Sequence, residues 1–504
     1  MKVDTGNLTR KTAFIMFYNV FGAVLGYVTL FFVMRLIGTA AWGILGAATG
    51  MVGILSILTD FGLSGAHIKK VSEGGDAEKK TGVYVFMKLM YALIFLCVSF
   101  VLIFLATNIL GFRFENTYLA IATYIIILYY FLMAIAAIFK TILRAYMETT
   151  KAIIPDFYRV LVQDLFLIGA TLWWVYHKDV PKEWIGVLYT YGYLLSVFAQ
   201  IVVLSRYVSY IRVKKPDFGL IKEYLLFSLP LGLFGVVGTI QAYTDRAMLQ
   251  FFWNYREVGA YFGIQKIIVA IMTFAMAVNF VLYPAQSHNF SQMKRERVKH
   301  ITLQAERYIS LFILPVVGFG FVFAPELLNL WNAQLVPYST VLRILLVYSF
   351  LYVINSPYSS QLVSAGKPKE NLKAGVVQAT LNIVLNGILI PTSIFGITLF
   401  GLKSVGAATA TLLSYLSGFL IIRYKVYKNL SFLYNPKITK HLISTLIVSV
   451  LMYIFNVNVF HFVRFYEIIG AFLVYVAIYL SILWVANEVS IEEVKKIANN
   501  FMKF

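Results

Sequence analysis

Apolar residues run along this chain in long blocks, each closed by a short polar link. Blocks of roughly 17 to 25 residues are long enough to cross the hydrocarbon layer of a bilayer as helices. Read this way the chain holds about fourteen spans, near 12–34, 42–62, 83–108, 117–139, 157–177, 184–205, 224–250, 258–283, 308–330, 338–363, 373–395, 403–422, 441–460 and 465–487. The pattern therefore predicts an all-α polytopic membrane protein, and an even number of spans puts both termini on one side. Within a span, periodicity does not separate core from surface, because lipid and protein neighbours are both apolar.

The two halves resemble each other. The link after the first span reads RLIGTAAWGILGAAT and the link after the seventh reads FFWNYREVGAYFGIQK; each sets a glycine, Gly43 or Gly259, where the next helix begins. The second and eighth spans then exit into HIKKVSEGGDAEKKTG and SHNFSQMKRERVKH, both basic and polar. This predicts two six-helix lobes, 1–215 and 216–430, followed by two additional helices and a tail over 431–504. Both lobes start on the same side, so they are expected to be parallel repeats about an axis along the membrane normal.

Composition agrees with the pattern: 60% of the 504 residues are apolar and 13% are charged, against about a quarter charged in soluble domains. A net charge of +20 on a soluble chain points to nucleic acid. Here most of the lysines and arginines fall in links on the amino-terminal side, which places both termini in the cytoplasm of a cell-membrane protein. These links carry Lys69, Lys70, Lys79 and Lys80; Arg206, Arg212, Lys214, Lys215 and Lys222; Lys294, Arg295, Arg297 and Lys299; and Arg423, Lys425, Lys428, Lys437 and Lys440. They read as topology signals facing lipid headgroups. The opposite links are very short, which excludes an external catalytic domain. The first apolar run lacks a small-residue cleavage site and reads as a retained helix. Cys97 is the single cysteine, so no intrachain disulfide forms; it reads as a small core residue.

One string suggests an ATP enzyme. Asp60-Phe61-Gly62 has the letters of the kinase metal-binding loop, but the 60 residues up to Asp60 are nearly all two membrane helices, leaving no room for the lysine strand and catalytic loop that such a loop needs. No G-x-x-x-x-G-K-[ST] phosphate loop is present either. No cofactor and no metal site is expected.

The strings MRLIGTAAWGILGAA, DFGLSGAHIKKVSEGGD, DRAMLQFFWNYREVGAYFGIQKI, LYPAQSHNF and LNIVLNGILIPTSIFGITLFGLKSVGAATATLLSY resemble, in order and spacing, the polysaccharide and lipid-linked oligosaccharide flippases of the multidrug, oligosaccharidyl-lipid and polysaccharide exporter superfamily. The resemblance covers nearly the whole chain; the loop before GLKSVGAATAT is longer than the usual link. It implies two six-helix lobes around a central cavity that opens alternately inward and outward. It also implies a polyprenyl-diphosphate-linked oligosaccharide as substrate, membrane lipid as surroundings, and a groove for the lipid tail at the last two helices. A glycan polymerase or glycosyltransferases are the partners such a transporter implies.

Charges inside spans are costly and therefore mark sites. The clearest are Arg159, Asp164, Asp245, Arg246, Lys266 and Arg343. Guanidinium groups offer paired donors to phosphate oxygens, so Arg246, Lys266, Arg343 and Arg159 are the expected diphosphate ligands; Arg159 and Arg343, near span ends, also fit snorkelling to the interface. Asn19, Gln241, Tyr243 and Gln265 suit sugar hydroxyls or interhelical hydrogen bonds alike. Asp60, Asp245, Asp164 and Arg35 are candidates for gating or coupling, with Asp60 expected to meet a basic residue of the other lobe on closure. Asp164 lies five residues from Arg159, about 140° round a helix, so its partner must come from another helix. Gly22, Gly26, Pro230 and Gly232 mark candidate hinges, with Pro230 expected to interrupt its span. Asn382 and Asn386 read as packing residues.

Alternatives are a cation-coupled drug exporter of the same superfamily, which needs intramembrane acids rather than this excess of cations; a membrane glycosyltransferase, which needs acids in an external loop; and a structural recruiter of partners. Energetics favours the first reading. A diphosphate diester carries about two negative charges, and an inside-negative potential favours outward movement by roughly 2.3 kcal/mol per charge per 100 mV, about 4.6 kcal/mol in all.

Overall fold

The structure, a computed structural model, describes residues 5–109, 111, 113–430, 435–458 and 464–490, with side chains described at Tyr18 and from Phe21 onward, Asn429 and Leu430 excepted. It is almost wholly helical, and the chain divides into two compact units. The first comprises residues up to Gly263 together with Ile390–Thr398. It contains α1 (Thr5–Leu36), α2 (Thr39–Leu55), α3 (Leu63–Ser72), α4 (Ala77–Asn108), α5 (Thr117–Ala145), α6 (Thr149–Tyr176), α7 (Lys182–Val208), α8 (Ile221–Phe252) and the start of α9 (Tyr255–Ser291). The second holds the rest of α9, α10 (Arg295–Val322), α11 (Ala324–Trp331), α12 (Ser339–Ser364), α13 (Pro368–Leu389), α14 (Lys403–Leu430), α15 (Pro436–Asn458) and α16 (Phe465–Val485).

Among the described residues, twelve helical stretches are long and apolar enough to cross a membrane, and Phe21–Leu36 of α1 is a shorter apolar helix. Helix α6 has 28 residues but carries Lys151, Asp156, Arg159 and Asp164. Counting α1 and α6 with the twelve gives the fourteen spans read from the pattern: this is an all-α, multi-pass membrane protein.

Local chemistry sets the helix ends. Asp76 caps α4 by accepting from the Lys79 amide at 3.1 Å, and Asn116 caps α5 through the Leu119 amide at 2.8 Å. The Lys79 amide, followed by Lys214, holds the Asp76 carboxyl below its ordinary range. Helices α13 and α15 both start with proline, whose missing amide costs nothing there. The longer loop before α14 holds a two-stranded antiparallel hairpin, β1 (Ser393–Ile394) and β2 (Ile397–Thr398). The Trp253 indole donates to the Ile390 carbonyl at 2.8 Å, tying this hairpin segment to the end of α8.

Three expectations are corrected. Cys97 is exposed on α4 rather than packed in the core; an apolar run facing lipid and one facing protein have the same composition. Pro230 lies inside an unbroken α8, because neighbouring groups in a bundle can absorb the single hydrogen bond it removes. Arg423 is not in a lipid-facing link. Helix α14 runs past its apolar block, and Arg423 is buried, donating to Glu306 of α10 at 2.5 Å and lying 3.5 Å over the Tyr358 ring.

Candidate functional site

Helix α2 is the most enclosed element of the first unit, and its sequence explains why. Gly43, Gly46, Gly50 and Gly53 fall three or four residues apart, on one face. Small residues there let a neighbouring backbone approach closely. A Cβ on Gly43 would stand 2.1 Å from the Tyr255 carbonyl oxygen, and one on Gly259 would stand 2.1 Å from the Thr39 carbonyl and 2.8 Å from the Gly43 Cα. The two glycines that mark the sequence repeat thus meet, backbone to backbone, where α2 and α9 begin.

Further along the seam, α8 lies on the same face. A Cβ on Gly50 would come within 2.7 Å of the Arg246 Cβ, and one on Gly53 within 2.3 Å of the Tyr243 ring. Tyr243 and Arg246, three apart on α8, stack on one face. The guanidinium lies 5.0 Å over the Tyr243 ring and 4.4 Å over the Phe262 ring. It donates to the Thr49 hydroxyl at 3.2 Å and to the Ala242 carbonyl at 3.0 Å. Arg246 is 7% exposed, and among the described residues its Nε has no hydrogen-bond partner and no carboxylate pairs with it. Tyr243 accepts from the Tyr130 hydroxyl at 2.9 Å. Asp245, next along the helix and therefore about 100° round it, turns away from Arg246 and accepts from the Tyr261 hydroxyl at 2.6 Å.

At the other end of α2 the chain tightens into a 3-10 turn, Ser56–Thr59, and then breaks. Phe61 and Gly62 both have positive φ, 37° and 82°, a conformation glycine adopts without penalty. That turn sits on α8. A Cβ on Gly62 would be 2.3 Å from the Ser228 carbonyl, and one on Gly232 would be 2.8 Å from the Phe61 ring. The DFG string is therefore the turn by which the chain bends off α2 against Gly232, two residues after Pro230.

Asp60 opens this turn. Its carboxylate accepts from the Ser64 hydroxyl at 2.5 Å, from the Ser64 amide at 3.2 Å and from the Lys88 ammonium of α4. The Ser64 hydroxyl lies 3.2 Å from that of Tyr84, whose ring stacks on His67 at 4.3 Å. His67 Nδ1 is 3.0 Å from the Tyr224 hydroxyl. In this structure Asp60 thus pairs within the first unit. Lys88 is 1% exposed and has one carboxylate partner among the described residues, so removing that partner strands a buried charge, at a cost of about 3 kcal/mol. Asp60→Asn is expected to lower the thermal midpoint, and Asp60→Asn with Lys88→Met to restore most of it. An unchanged midpoint in the single variant contradicts this assignment.

The remaining candidates scatter. In the first unit, Arg159 donates to Gln163 at 3.1 Å, one turn along α6 and not to Asp164. Asp164 is buried and faces α1, its Oδ2 lying 3.9 Å from where a Gly26 Cβ would stand; Gly22 meets Val160 of the same helix. Gln241 and Arg35 are exposed, and the Asn19 side chain lies outside the described residues. In the second unit, Gln265 and Lys266 are half-buried on α9. Arg343 donates its Nε to the Phe321 carbonyl at 3.0 Å, at the last turn of α10, where a cation suits the helix end. Asn386 donates to Asn382 at 3.1 Å, both buried.

Several polar pairs escape the span-by-span reading. Lys140 of α5 pairs with Asp156 of α6, which also accepts from Gln200 of α7 at 2.7 Å. In the second unit, Tyr358 donates at 2.5 Å to Glu306, the partner of Arg423, and Arg307 donates at 2.6 Å to the buried Glu488. Most of these charges lie just outside their apolar blocks, because the helices outrun the blocks at both ends. Lys88 lies inside its block, 83–108, and the rule that flags Arg246 applies to it equally, although it is absent from the charges singled out from the sequence.

Residues 8–290 match the sequence model of the polysaccharide biosynthesis protein family. The chain is 26% identical over 432 residues to a probable low-salt glycan biosynthesis flippase, Agl15, of Haloferax volcanii, covering 83% of this chain and 85% of that one. It is 25% identical over 401 residues to an uncharacterized membrane protein of Methanocaldococcus jannaschii, covering 74% and 75%. Among solved structures, the lipid II flippase MurJ in an inward closed conformation superposes with a TM-score of 0.74 at 16% identity, covering 94% of this chain and 99% of that one. An inward-facing multidrug resistance MATE family transporter of the MOP superfamily superposes at 0.60 with 15% identity, covering 81% of this chain and 95% of that one. At these identities the two structures speak for the fold.

Proposed function

Since the chain belongs to the polysaccharide biosynthesis protein family, we propose that it is an alternating-access flippase, not an enzyme, which moves a polyprenyl-diphosphate-linked oligosaccharide from the cytoplasmic to the outer leaflet of the cell membrane. The observation that carries this reading is Arg246: a buried guanidinium held by a hydroxyl, a carbonyl and two rings, with one N–H unspent. A buried cation without an anion is costly, and a diphosphate supplies what it lacks. The same surroundings disfavour a cationic drug. The glycan flippase among the relatives agrees with this substrate class.

In this reading both termini are cytoplasmic, so the Thr39 end of α2 faces outward and the Asp60 end inward. The lobes are 1–215 and 216–430, with two further helices after them. The seam of α2 against α8 and α9 is then where the lobes part. Here it is shut at both ends, by Gly43 on Gly259 and by Gly62 on Ser228 and Gly232. Opening at the Asp60 end admits the diphosphate to Arg246, and opening at the Thr39 end releases it. Lys266 and Arg159 are the further cations proposed for the substrate, while Arg343 holds a helix end.

Transport driven by the membrane potential follows from the substrate's charge. In vesicles holding the purified protein and a fluorescent polyprenyl-diphosphate oligosaccharide, movement toward the positive side is expected to accelerate on imposing the potential and to slow on collapsing it. A rate indifferent to potential contradicts this account.

A further inference from the structure

Trp42 of α2 is 4% exposed, and its indole Nε1, a donor with no acceptor function, has no hydrogen-bond partner among the described residues. Its position is particular. The indole stacks on Phe262 with ring centroids 5.2 Å apart and planes 14° from parallel, while the Arg246 guanidinium lies 4.4 Å from the same phenyl ring. Trp42 and Arg246 are thus no further apart than those two distances together, and each carries one buried, unspent N–H. Trp42 also adjoins Gly43, whose backbone closes against Tyr255 and Gly259 at the Thr39 end of the seam.

A buried N–H left unpaired forfeits the water it would otherwise hold. Core packing alone is met by phenylalanine, so the indole nitrogen calls for an acceptor that comes and goes. In a sugar diphosphate the first sugar ring is joined directly to the phosphate, so a site that fixes the phosphate fixes the sugar within one ring's reach. A pyranose presents an apolar C–H face rimmed by oxygen acceptors, which suits a flat aromatic side chain with one polar edge.

We infer that Trp42 is the platform for the first sugar of the substrate, its ring against the C–H face and its Nε1–H donating to a ring substituent oxygen, with Arg246 holding the adjoining diphosphate. This rests on the flippase reading and sharpens it: parting of α2 from α9 separates Trp42 from Phe262 and exposes the platform on the side where the glycan leaves. Trp42 is a specificity residue that distinguishes sugar-bearing from bare polyprenyl diphosphate.

The experiment measures binding of two probes, undecaprenyl diphosphate and undecaprenyl diphosphate bearing one N-acetylglucosamine, to the full-length protein in nanodiscs. The unaltered protein is expected to prefer the sugar-bearing probe. Trp42→Phe, which keeps the stack and removes the N–H, is expected to weaken that probe about tenfold and leave the bare probe unchanged, which also shows the variant is folded. Arg246→Ala is expected to weaken both. Equal affinity of the unaltered protein for the two probes, or a Trp42→Phe variant that changes neither probe or both equally, overturns the inference about Trp42. Failure of the unaltered protein to bind either probe, or indifference of both probes to Arg246→Ala, overturns the diphosphate reading beneath it.

Discussion

Arg246→Ala is expected to reduce flipping of a lipid-linked oligosaccharide by at least about a hundredfold while the protein still inserts and purifies as a monodisperse species. Truncating one partner of a buried, hydrogen-bonded charge pair costs about 2–5 kcal/mol, and 3 kcal/mol corresponds to a little over a hundredfold in affinity. The loss falls on function rather than folding, because the groups that Arg246 leaves behind are neutral: the Thr49 hydroxyl bonds to the Leu45 carbonyl at 2.8 Å, and the Tyr243 hydroxyl keeps Tyr130. Adding Lys266→Ala is expected to remove what activity remains. Vesicle transport with the double variant is the check, and full activity there contradicts the proposed site.

The second large effect belongs to the seam. A side chain at Gly43 points straight at the Tyr255 carbonyl, and backbone cannot rotate aside as a side chain does. Gly43→Val is therefore expected to force α2 and α9 apart at that end. Overpacking of this kind costs about 2 kcal/mol, roughly a thirtyfold shift toward the state with the seam open. A reporter cysteine at Gln250, which is buried near the end of α8, introduced in a Cys97→Ser background, is expected to react faster with a maleimide applied from outside, and transport is expected to stall. An unchanged labelling rate with normal transport shows that the two glycines do not form a gate.

The sequence makes some of this arrangement plain and hides the rest, for physical reasons. The number of spans follows from block length, since a helix must be about 20 residues to cross the bilayer. Arg246 stands out because a charge amid apolar residues is expensive wherever it faces. The turn at Asp60 to Gly62 is visible in its glycine. What composition cannot give is partnership. Gly43 and Gly259 read as equivalent marks of a repeat, and only the fold shows that they touch. Glu306 and Arg423 lie beyond the ends of their apolar blocks, where Arg423 reads as a link charge facing lipid headgroups, yet the helices extend to enclose them. Cys97 and Trp42 both sit in apolar runs; one faces outward and the other is buried with an unspent donor, a difference no local pattern records.

Whether Arg246 is an anion site is the claim on which the direction of transport and the sugar platform both depend. Native mass spectrometry of the full-length protein tests it most directly, with polyprenyl diphosphate and a lipophilic cationic dye offered in competition. The account predicts one polyprenyl diphosphate bound per chain, displaced by excess sugar-bearing polyprenyl diphosphate, unaffected by the dye, and lost in Arg246→Ala. Retention of the dye in place of the diphosphate, or equal binding of the diphosphate by Arg246→Ala, contradicts it.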